Sequence, residues 1–431
     1  MSINKVSVIG LGYIGLPTAA MFASRGIDVV GVDVNQYAVD TVNAGEIHIV
    51  EPGLREMVKS AVEAGNLRAT TAPESADVFL IAVPTPFTKC NEEMEAPKPD
   101  LSYIESASRA LAKVLKKGDL VILESTSPVG ATEQMAAWLS EERPDLSFPQ
   151  AQGEHSDIRI AHCPERVLPG QVIRELVEND RIIGGMTRKC SEAATNLYRT
   201  FVKGDCVITN ARTAEMAKLT ENASRDVGIA FANELSIICD SLNIDVWELI
   251  QLANRHPRVD ILQPGPGVGG HCIAVDPWFI IAGSPDQSQL IHTARKVNDY
   301  KPQWVVQKIY AAVLQFLSNN PDKTINEVSV SLFGLAFKAN IDDLRESPAL
   351  SIAKELVSFN FGRLLAVEPN IADLPTELKS DLELIAIEKA LELSDICVVL
   401  VDHDEFKLIS KSALEGVLVV DTKGIWRSEK R

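Results

Sequence analysis

Near the start of the chain, Val6-Ser7-Val8-Ile9 runs into Gly10-Leu11-Gly12-Tyr13-Ile14-Gly15 and then into Leu16 to Ser24. Four residues dominated by apolar side chains suit a short strand, the spaced glycines suit a turn, and the segment that follows suits a helix. A second strand, Val29-Val30-Gly31-Val32, ends at Asp33. In such a unit Gly10 permits the tight turn, Gly12 lets a pyrophosphate approach the backbone, and Gly15 allows close packing of helix on strand. The helix N-terminus offers unpaired N–H groups and the positive end of a dipole. A carboxylate placed like Asp33 accepts hydrogen bonds from an adenosine ribose and repels a 2′-phosphate, which favours NAD over NADP. Three glycines alone are also compatible with an incidental turn. The strand, turn, helix and acid in this order favour a dinucleotide site.

Working outward, Val78-Phe79-Leu80-Ile81-Ala82-Val83 and Leu120-Val121-Ile122-Leu123 follow more polar, helix-compatible stretches. Apolar strands alternating with helices indicate a doubly wound parallel sheet. The last hundred or so residues echo the first. Val328 to Phe333 leads into Gly334-Leu335-Ala336-Phe337-Lys338, and Leu364-Leu365-Ala366-Val367 ends at Glu368. Ser394 to Val401 resembles Ser75 to Val83, and Val417 to Asp421 resembles Leu120 to Glu124. This second unit has lost the three-glycine turn and need not bind a dinucleotide. Between the two, Arg212 to Leu242 is rich in Ala, Leu, Glu and Ile and has no proline, so it reads as a long helix. Asp245 to Asn254 and Gln289 to Leu317 also read as helices, with a kink or break expected at Pro302. With 431 residues, about three domains are expected. The fold class is α/β: two Rossmann-like doubly wound parallel-sheet domains, 1–205 and 321–431, joined by a central helical domain, 206–320.

Hydrophobic residues make up 46% and charged residues 23% of the chain, a globular balance that argues against extensive disorder. The 42 basic and 59 acidic residues give 42 − 59 = −17, which argues against coating nucleic acid or an anionic membrane. No apolar run is long enough to suggest a membrane span. The segment Met1 to Val6 lacks the features of a secretory signal, so the expected location is cytoplasmic. Cysteines stand at 90, 163, 190, 206, 239, 272 and 397 with no CxxC pair, so neither a zinc ribbon nor a disulfide framework is expected.

Cys272 is the cysteine that stands apart. It follows Gly265-Pro266-Gly267-Val268-Gly269-Gly270-His271 and precedes Ile273-Ala274-Val275-Asp276-Pro277. A thiol after a loop this poor in side chains can be approached by a carbonyl and attack it. The other reading is a small buried hydrophobe. Lys218, Asn222 and Arg225 are spaced i, i+4 and i+7 and share one helix face. That face is either a solvated polar stripe or, given Ala217, Leu219, Ala223 and Val227 around it, a buried site able to stabilise an alkoxide. Cys163-Pro164-Glu165-Arg166-Val167-Leu168-Pro169-Gly170 and Asn254-Arg255-His256-Pro257-Arg258 place cations in turns, either as surface charge or to meet a pyrophosphate. His256 and His271 lack metal-ligand spacing, and no metal is expected.

These residues together resemble the UDP-glucose/GDP-mannose dehydrogenase family over nearly the whole chain. The matching motifs, in order, are Gly10 to Gly15, Glu124 to Gly130, Pro164-Glu165-Arg166, Lys218 to Asn222, Gly269 to Asp276 and Gly334 to Pro348. The resemblance implies an N-terminal NAD domain, a central dimerisation region and a C-terminal nucleotide-sugar domain, in a homodimer. The UDP-glucose branch typically has serine before the cysteine and lysine before the aspartate. Here His271 and Val275 stand there, as in the UDP-N-acetylhexosamine branch. The substrate implied is UDP-N-acetyl-D-mannosamine, for enterobacterial common antigen, with UDP-N-acetylglucosamine or UDP-glucose as alternatives.

Carried over residue by residue, Gly10, Gly12, Tyr13, Ile14, Gly15, Asp33, Thr85, Thr126 and Arg345 would contact NAD. Arg166, Val167, Lys218, Asn222, Arg225, His256, Arg258, Gly269, Phe337 and Lys338 would contact the sugar nucleotide, with Arg258 able to reach the other subunit's site. Cys272 would be the nucleophile, Lys218 with Asn222 would manage the proton, and Asp276 would support them. The implied reaction takes the sugar C6 alcohol to a carboxylate with two NAD, through a cysteine thiohemiacetal and thioester. A different class of protein, an NAD-binding sensor without turnover, would need neither Cys272 nor Lys218.

Overall fold

The computed structural model describes residues 3–88, 97–168, 170–270 and 272–427. Cys90, Pro169 and His271, all named above, lie outside them, as do Met1 and Ser2. The chain divides into two compact units, 1–221 with 278–285 and 222–277 with 286–431.

In the first unit the strands are β1 (Lys5–Ile9), β2 (Asp28–Val32), β3 (Leu67–Thr70), β4 (Val78–Ile81), β5 (Leu120–Leu123), β6 (Arg159–His162), β7 (Arg181–Gly185) and β8 (Cys206–Asn210). They lie side by side in the order β3-β2-β1-β4-β5-β6-β7-β8. The order reverses between β1 and β4, where open sheets of this kind leave a crevice for a ligand. Alternate residues of the inner strands β1, β2, β4, β5 and β6 feed two separate cores. Val8 and Val29 pack with Leu16 and Phe22 on one face. Ile9, Val30 and Val32 share the other core with Ile104 and Leu139. Burial on both faces explains why β4 and β5 are unbroken apolar runs in sequence. β3, Leu-Arg-Ala-Thr, lies at the sheet edge and alternates buried with exposed, so it carries no such run. One departure from an all-parallel sheet is found: β7 runs antiparallel to β6, and β8 then runs parallel to β7.

The second unit contains β9 (Ser329–Phe333), β10 (Arg363–Val367), β11 (Glu383–Leu384), β12 (Ile396–Val399) and β13 (Leu418–Asp421). Their order, β11-β10-β9-β12-β13, repeats that of the first five strands, and every pairing is parallel. The internal echo in the sequence is therefore a repeated fold.

The long helix spans Ala211–Ser241, followed by helices Val246–Ala253, Asp276–Gly283 and Gln289–Asn319. No break occurs at Pro302: the last of these helices runs through it. A proline inside a helix removes one backbone hydrogen bond but need not end the helix when neighbouring turns are packed, and Val305, Val306 and Ile309 just beyond it are buried.

The helical part of the second unit also buries a lysine. Lys301 is 2% exposed, donates to the Ser236 hydroxyl at 2.5 Å and sits 3.7 Å from the Trp304 ring centre. Burial pushes its ammonium down to about 7, against the weaker upward pull of Asp240. Unfolded chain therefore holds a proton on this residue between about pH 7 and 10.5 that folded chain does not, so stability rises with pH across that window. Lys301→Met is expected to gain about 1–2 kcal/mol below pH 7 by removing a buried charge. Urea unfolding at pH 6.5 and pH 10 should show that gain shrinking as pH rises.

Candidate functional site

The glycine turn of the first unit is built as its spacing requires. Gly10 has φ +93°, and a Cβ there would lie 2.4 Å from the Ala82 carbonyl oxygen. A Cβ on Gly15 would lie 1.8 Å from the Gly10 carbonyl oxygen, so the helix Gly15–Ser24 meets the turn with no space for a side chain. Gly12 faces open space. No side chain caps that helix, and no acid lies in its first turn. An anion is thus the natural complement to its N-terminus. The Asp33 carboxylate accepts from Leu11 N at 2.8 Å and Asn35 N at 2.9 Å, so the acid at the end of β2 is tied to the turn while remaining half-buried. This donor set fits a dinucleotide: backbone N–H groups for the pyrophosphate and a carboxylate for the ribose. Thr85 and Thr126 are also brought together, the Thr85 hydroxyl donating to the Thr126 carbonyl at 2.5 Å.

The second unit has the same frame with a different ending. Gly334 N donates to Val367 O at 2.9 Å, as Gly10 N does to Val32 O at 2.8 Å. Glu368 accepts from Leu335 N at 2.8 Å and Ala336 N at 3.0 Å, as Asp33 accepts from Leu11 N. Glu368, however, is only 4% exposed. Asn340 N donates to Nδ1 of the fully buried His403, which leaves the ring proton on Nε2 to donate to Glu368 at 3.0 Å. Burial raises the Glu368 carboxyl, but the His403 and backbone hydrogen bonds outweigh it and hold the group below its ordinary value. A ribose has no access to this acid.

The motifs around Glu124 and Glu165 meet in a buried cluster of the first unit. Arg181 bridges them, at 2.6 Å to Glu124 and 2.8 Å to Glu165, and the Tyr198 hydroxyl donates to Glu124 at 2.6 Å. Burial pushes Glu124 up despite Arg181. Beside this cluster Arg166 pairs with Glu221 at 2.7 Å, and Val167 packs on the core. Glu215, buried, accepts from Gly130 N and Thr132 N at 2.7 and 2.8 Å and fastens the Glu124 to Gly130 segment to the long helix. Lys218, one helical turn later, is half-buried.

In the second unit Cys272 is exposed, the only such cysteine among the described residues. Its carbonyl accepts from Val275 N at 3.1 Å and Asp276 N at 2.9 Å, which places it one turn before the helix Asp276–Gly283. Asp276 and Asn222 are brought together in the interior, the Asn222 amide donating to the carboxylate at 2.5 Å. Gly269 packs against Phe337, where a Cβ would come within 2.5 Å of the Glu346 carbonyl oxygen. Lys338 is exposed beside Phe337, and Arg345, also exposed, pairs with Asp343 at 2.6 Å. Arg225, His256 and Arg258 are exposed. The residues expected to form one site are therefore divided. The glycine turn, Asp33, Thr85, Thr126, Arg166, Val167 and Lys218 belong to the first unit, and the others to the second.

The sequence reading missed Glu215, Arg181, His403 and the buried Asp226, Asn233, Arg295 and Asn298. A signal existed for two of them: Asn222, Asp226 and Asn233 are polar at i, i+4 and i+11, one face of a helix whose other buried residues are largely apolar.

Three family models of the UDP-glucose/GDP-mannose dehydrogenases match in order: the NAD binding domain over residues 4–202, the central domain over 212–300 and the UDP binding domain over 331–428. The chain belongs to the UDP-glucose/GDP-mannose dehydrogenase family. The cofactor of this family member is NAD, and its first segment is the NAD binding domain. The chain is 62% identical to a UDP-N-acetyl-D-mannosamine dehydrogenase from Salmonella typhi, covering 99% of this chain and 100% of that one. It is 61% identical to an NDP-N-acetyl-D-galactosaminuronic acid dehydrogenase from Ralstonia nicotianae, covering 99% and 97%. Among solved structures it is similar to a UDP-D-ManNAc dehydrogenase from Pyrococcus horikoshii, with TM-score 0.84, 38% identity and coverage of 99% and 96%.

Asp33→Ala should weaken NAD binding by about tenfold or more, the loss of a charged hydrogen-bond acceptor. Asp33→Asn keeps an acceptor for Leu11 N and should lose less. Titration of NAD against intrinsic fluorescence measures both, and an unchanged NAD affinity in Asp33→Ala would remove Asp33 from the cofactor site.

Proposed function

We propose that this chain oxidises UDP-N-acetyl-D-mannosamine at C6 to the uronate, in a four-electron reaction that consumes two NAD and one water. The substrate reading rests on the 62% identity to the Salmonella typhi enzyme over the full length of both chains. The chemistry rests on one observation: Cys272 is exposed one turn before a helix whose first residue, Asp276, is buried against Asn222.

When bound, NAD accepts a hydride from the sugar carbon in each half-reaction. In the first half, Lys218, with a water held by Asn222, takes the C6 hydroxyl proton. Lys338, exposed on the second unit, is proposed to meet the negative charge of the sugar nucleotide. In the second half, the Cys272 thiolate adds to the aldehyde carbon and forms a C–S bond. The thiohemiacetal loses its hydroxyl proton together with a hydride and becomes a thioester. Water then attacks the thioester, the C–S bond breaks, and the thiol and the carboxylate are released. Asp276, fixed by Asn222, holds the start of the helix behind Cys272. Covalent capture keeps the aldehyde in place between the two oxidations.

The three-part division at about 205 and 320 belongs to the same proposal, with the family segments in its support. So does a cytoplasmic homodimer supplying enterobacterial common antigen. Exposed Phe231, Ile238 and Leu242, at i, i+7 and i+11 along and just past the long helix, suit a second copy of the chain. A second reading, oxidation of the N-acetylgalactosamine series, is favoured by the 61% identity to the Ralstonia nicotianae enzyme.

A panel of UDP-N-acetylmannosamine, UDP-N-acetylgalactosamine, UDP-N-acetylglucosamine and UDP-glucose, followed at the NADH absorbance, decides between these substrates. The expected result is turnover of the mannosamine nucleotide with two NADH per sugar. Fastest turnover of another sugar would overturn the substrate. Cys272→Ala is expected to fold and to fail in the second oxidation. Uronate formed at the parental rate by this variant would remove the thioester route.

A further inference from the structure

The loop that presents Cys272 is held from behind by buried amides. Gly265, Gly267, Gly269 and Gly270 leave it little side-chain packing of its own, and glycine-rich backbone loses much entropy when ordered. Its far end is fixed by Asn222 and Asp276. At its near end, Gly265 N donates to Asn233 Oδ1 at 2.9 Å. Asn233 is fully buried on the long helix, and its Nδ2 donates to Asn298 Oδ1 at 2.9 Å. Asn298 lies on the helix Gln289–Asn319, is 1% exposed, and donates Nδ2 to Asp226 at both the backbone oxygen, 3.0 Å, and Oδ1, 2.8 Å. Arg295, 2% exposed, pairs with the same Oδ1 at 2.6 Å and with Asp299.

The direction of this chain of bonds is forced. Gly265 N can only donate, and the Asp226 backbone oxygen can only accept. Each amide between them must therefore turn its nitrogen towards Asp226 and its oxygen towards the loop. Were either amide reversed, two acceptors or two donors would face each other inside the protein, at a cost of about 1–3 kcal/mol for each unmet group. The middle of the loop is seated between the helix Gln289–Asn319 and the start of the helix Pro348–Val357: a Cβ on Gly267 would come within 3.1 Å of Pro302 and 2.9 Å of Pro348.

We propose that Asn233, its amide oriented through Asn298 by the Asp226–Arg295 pair, is a positioning residue that sets the loop carrying Cys272. It serves the cysteine step and not the binding of NAD. The inference rests on the reading of Cys272 as nucleophile only for its kinetic consequence; the geometric consequence stands without it. Displacing a reacting group by about 1 Å can cost up to about a hundredfold in rate.

The test uses the full-length enzyme and its variants Asn233→Ala and Asn298→Leu. Four quantities are measured: the rate of Cys272 alkylation by iodoacetamide, read on the peptide by mass spectrometry; kcat; NAD affinity; and the aldehyde that hydroxylamine traps during turnover. In Asn233→Ala, alkylation is expected to change severalfold and kcat to fall about tenfold or more, with NAD affinity within about twofold of the parent and aldehyde trapped by hydroxylamine. Asn298→Leu removes the orienting partner but leaves Asn233, and should shift the same quantities in the same direction by less. It carries the test if Asn233→Ala does not fold. Parental alkylation in the folded variant overturns the positioning role. Changed alkylation with parental kcat overturns its service to catalysis. Cys272→Ala run in parallel separates the two readings: uronate formation there removes the nucleophile, while the alkylation rate still decides whether Asn233 sets the loop.

Discussion

Backbone packed against backbone, with no space for a side chain between, is the constraint on which this protein depends. The helix Gly15–Ser24 can bring its N-terminus to the crevice between β1 and β4 only because Gly15 leaves its Cβ position to the Gly10 carbonyl oxygen, 1.8 Å away. The loop before Cys272 obeys the same rule, with Gly269 seated on the Glu346 carbonyl and Gly270 on the Phe337 ring. Such contacts bring backbone donors and a thiol to where a ligand can reach them. They also forfeit side-chain packing, and each glycine costs about 0.5–1 kcal/mol in a regular element relative to alanine. Stability has to come from what surrounds them: two buried faces on the first sheet, and buried polar groups that fasten loops to helices.

The two sheets put this into relief. They share a strand order and a first turn, down to the hydrogen bond from the first glycine to the end of the neighbouring strand. What separates them is the fate of one carboxylate. Asp33 keeps part of its surface. Glu368 is closed over by His403, the Asn370 side chain and three backbone N–H groups. An acid with its acceptor sites taken inside the protein holds its own loop together. With solvent access, the same position becomes a ribose acceptor. One repeated fold can in this way carry a cofactor site in one unit and a different surface in the other.

Much of this was legible because its causes are local. Strands β1, β2, β4 and β5 and their later counterparts β9, β10, β12 and β13 are apolar runs between turn residues. The long helix runs to within a residue of where composition placed it, Ala211–Ser241 against 212–242. Strands β3, β6, β7 and β8 were not legible, since short strands with polar or charged residues look like loops until a sheet pairs them. Arg181 opens β7 as a charge and still lies inside, because Glu124 and Glu165, far away in sequence, come to meet it. Of the kink or break that Pro302 suggests, the break is absent, because packing around the helix carries it past one missing hydrogen bond. Lys218, whose helix face reads in the sequence as either a solvated stripe or a buried site, is half-buried, while the buried lysine among the described residues is Lys301.

The sequence by itself determined the repeated α/β fold, the glycine turn with its acid, the family and the cysteine at the end of a glycine loop. Each is set by spacing within a few dozen residues or by motifs in a fixed order. Only the tertiary structure decided which polar residues are partners. Asn222 with Asp276, Asn233 with Gly265 and Asn298 with Asp226 join positions 32 to 72 residues apart. The physical reason is that the sense of a buried hydrogen bond depends on the group opposite, and the fold alone chooses that group.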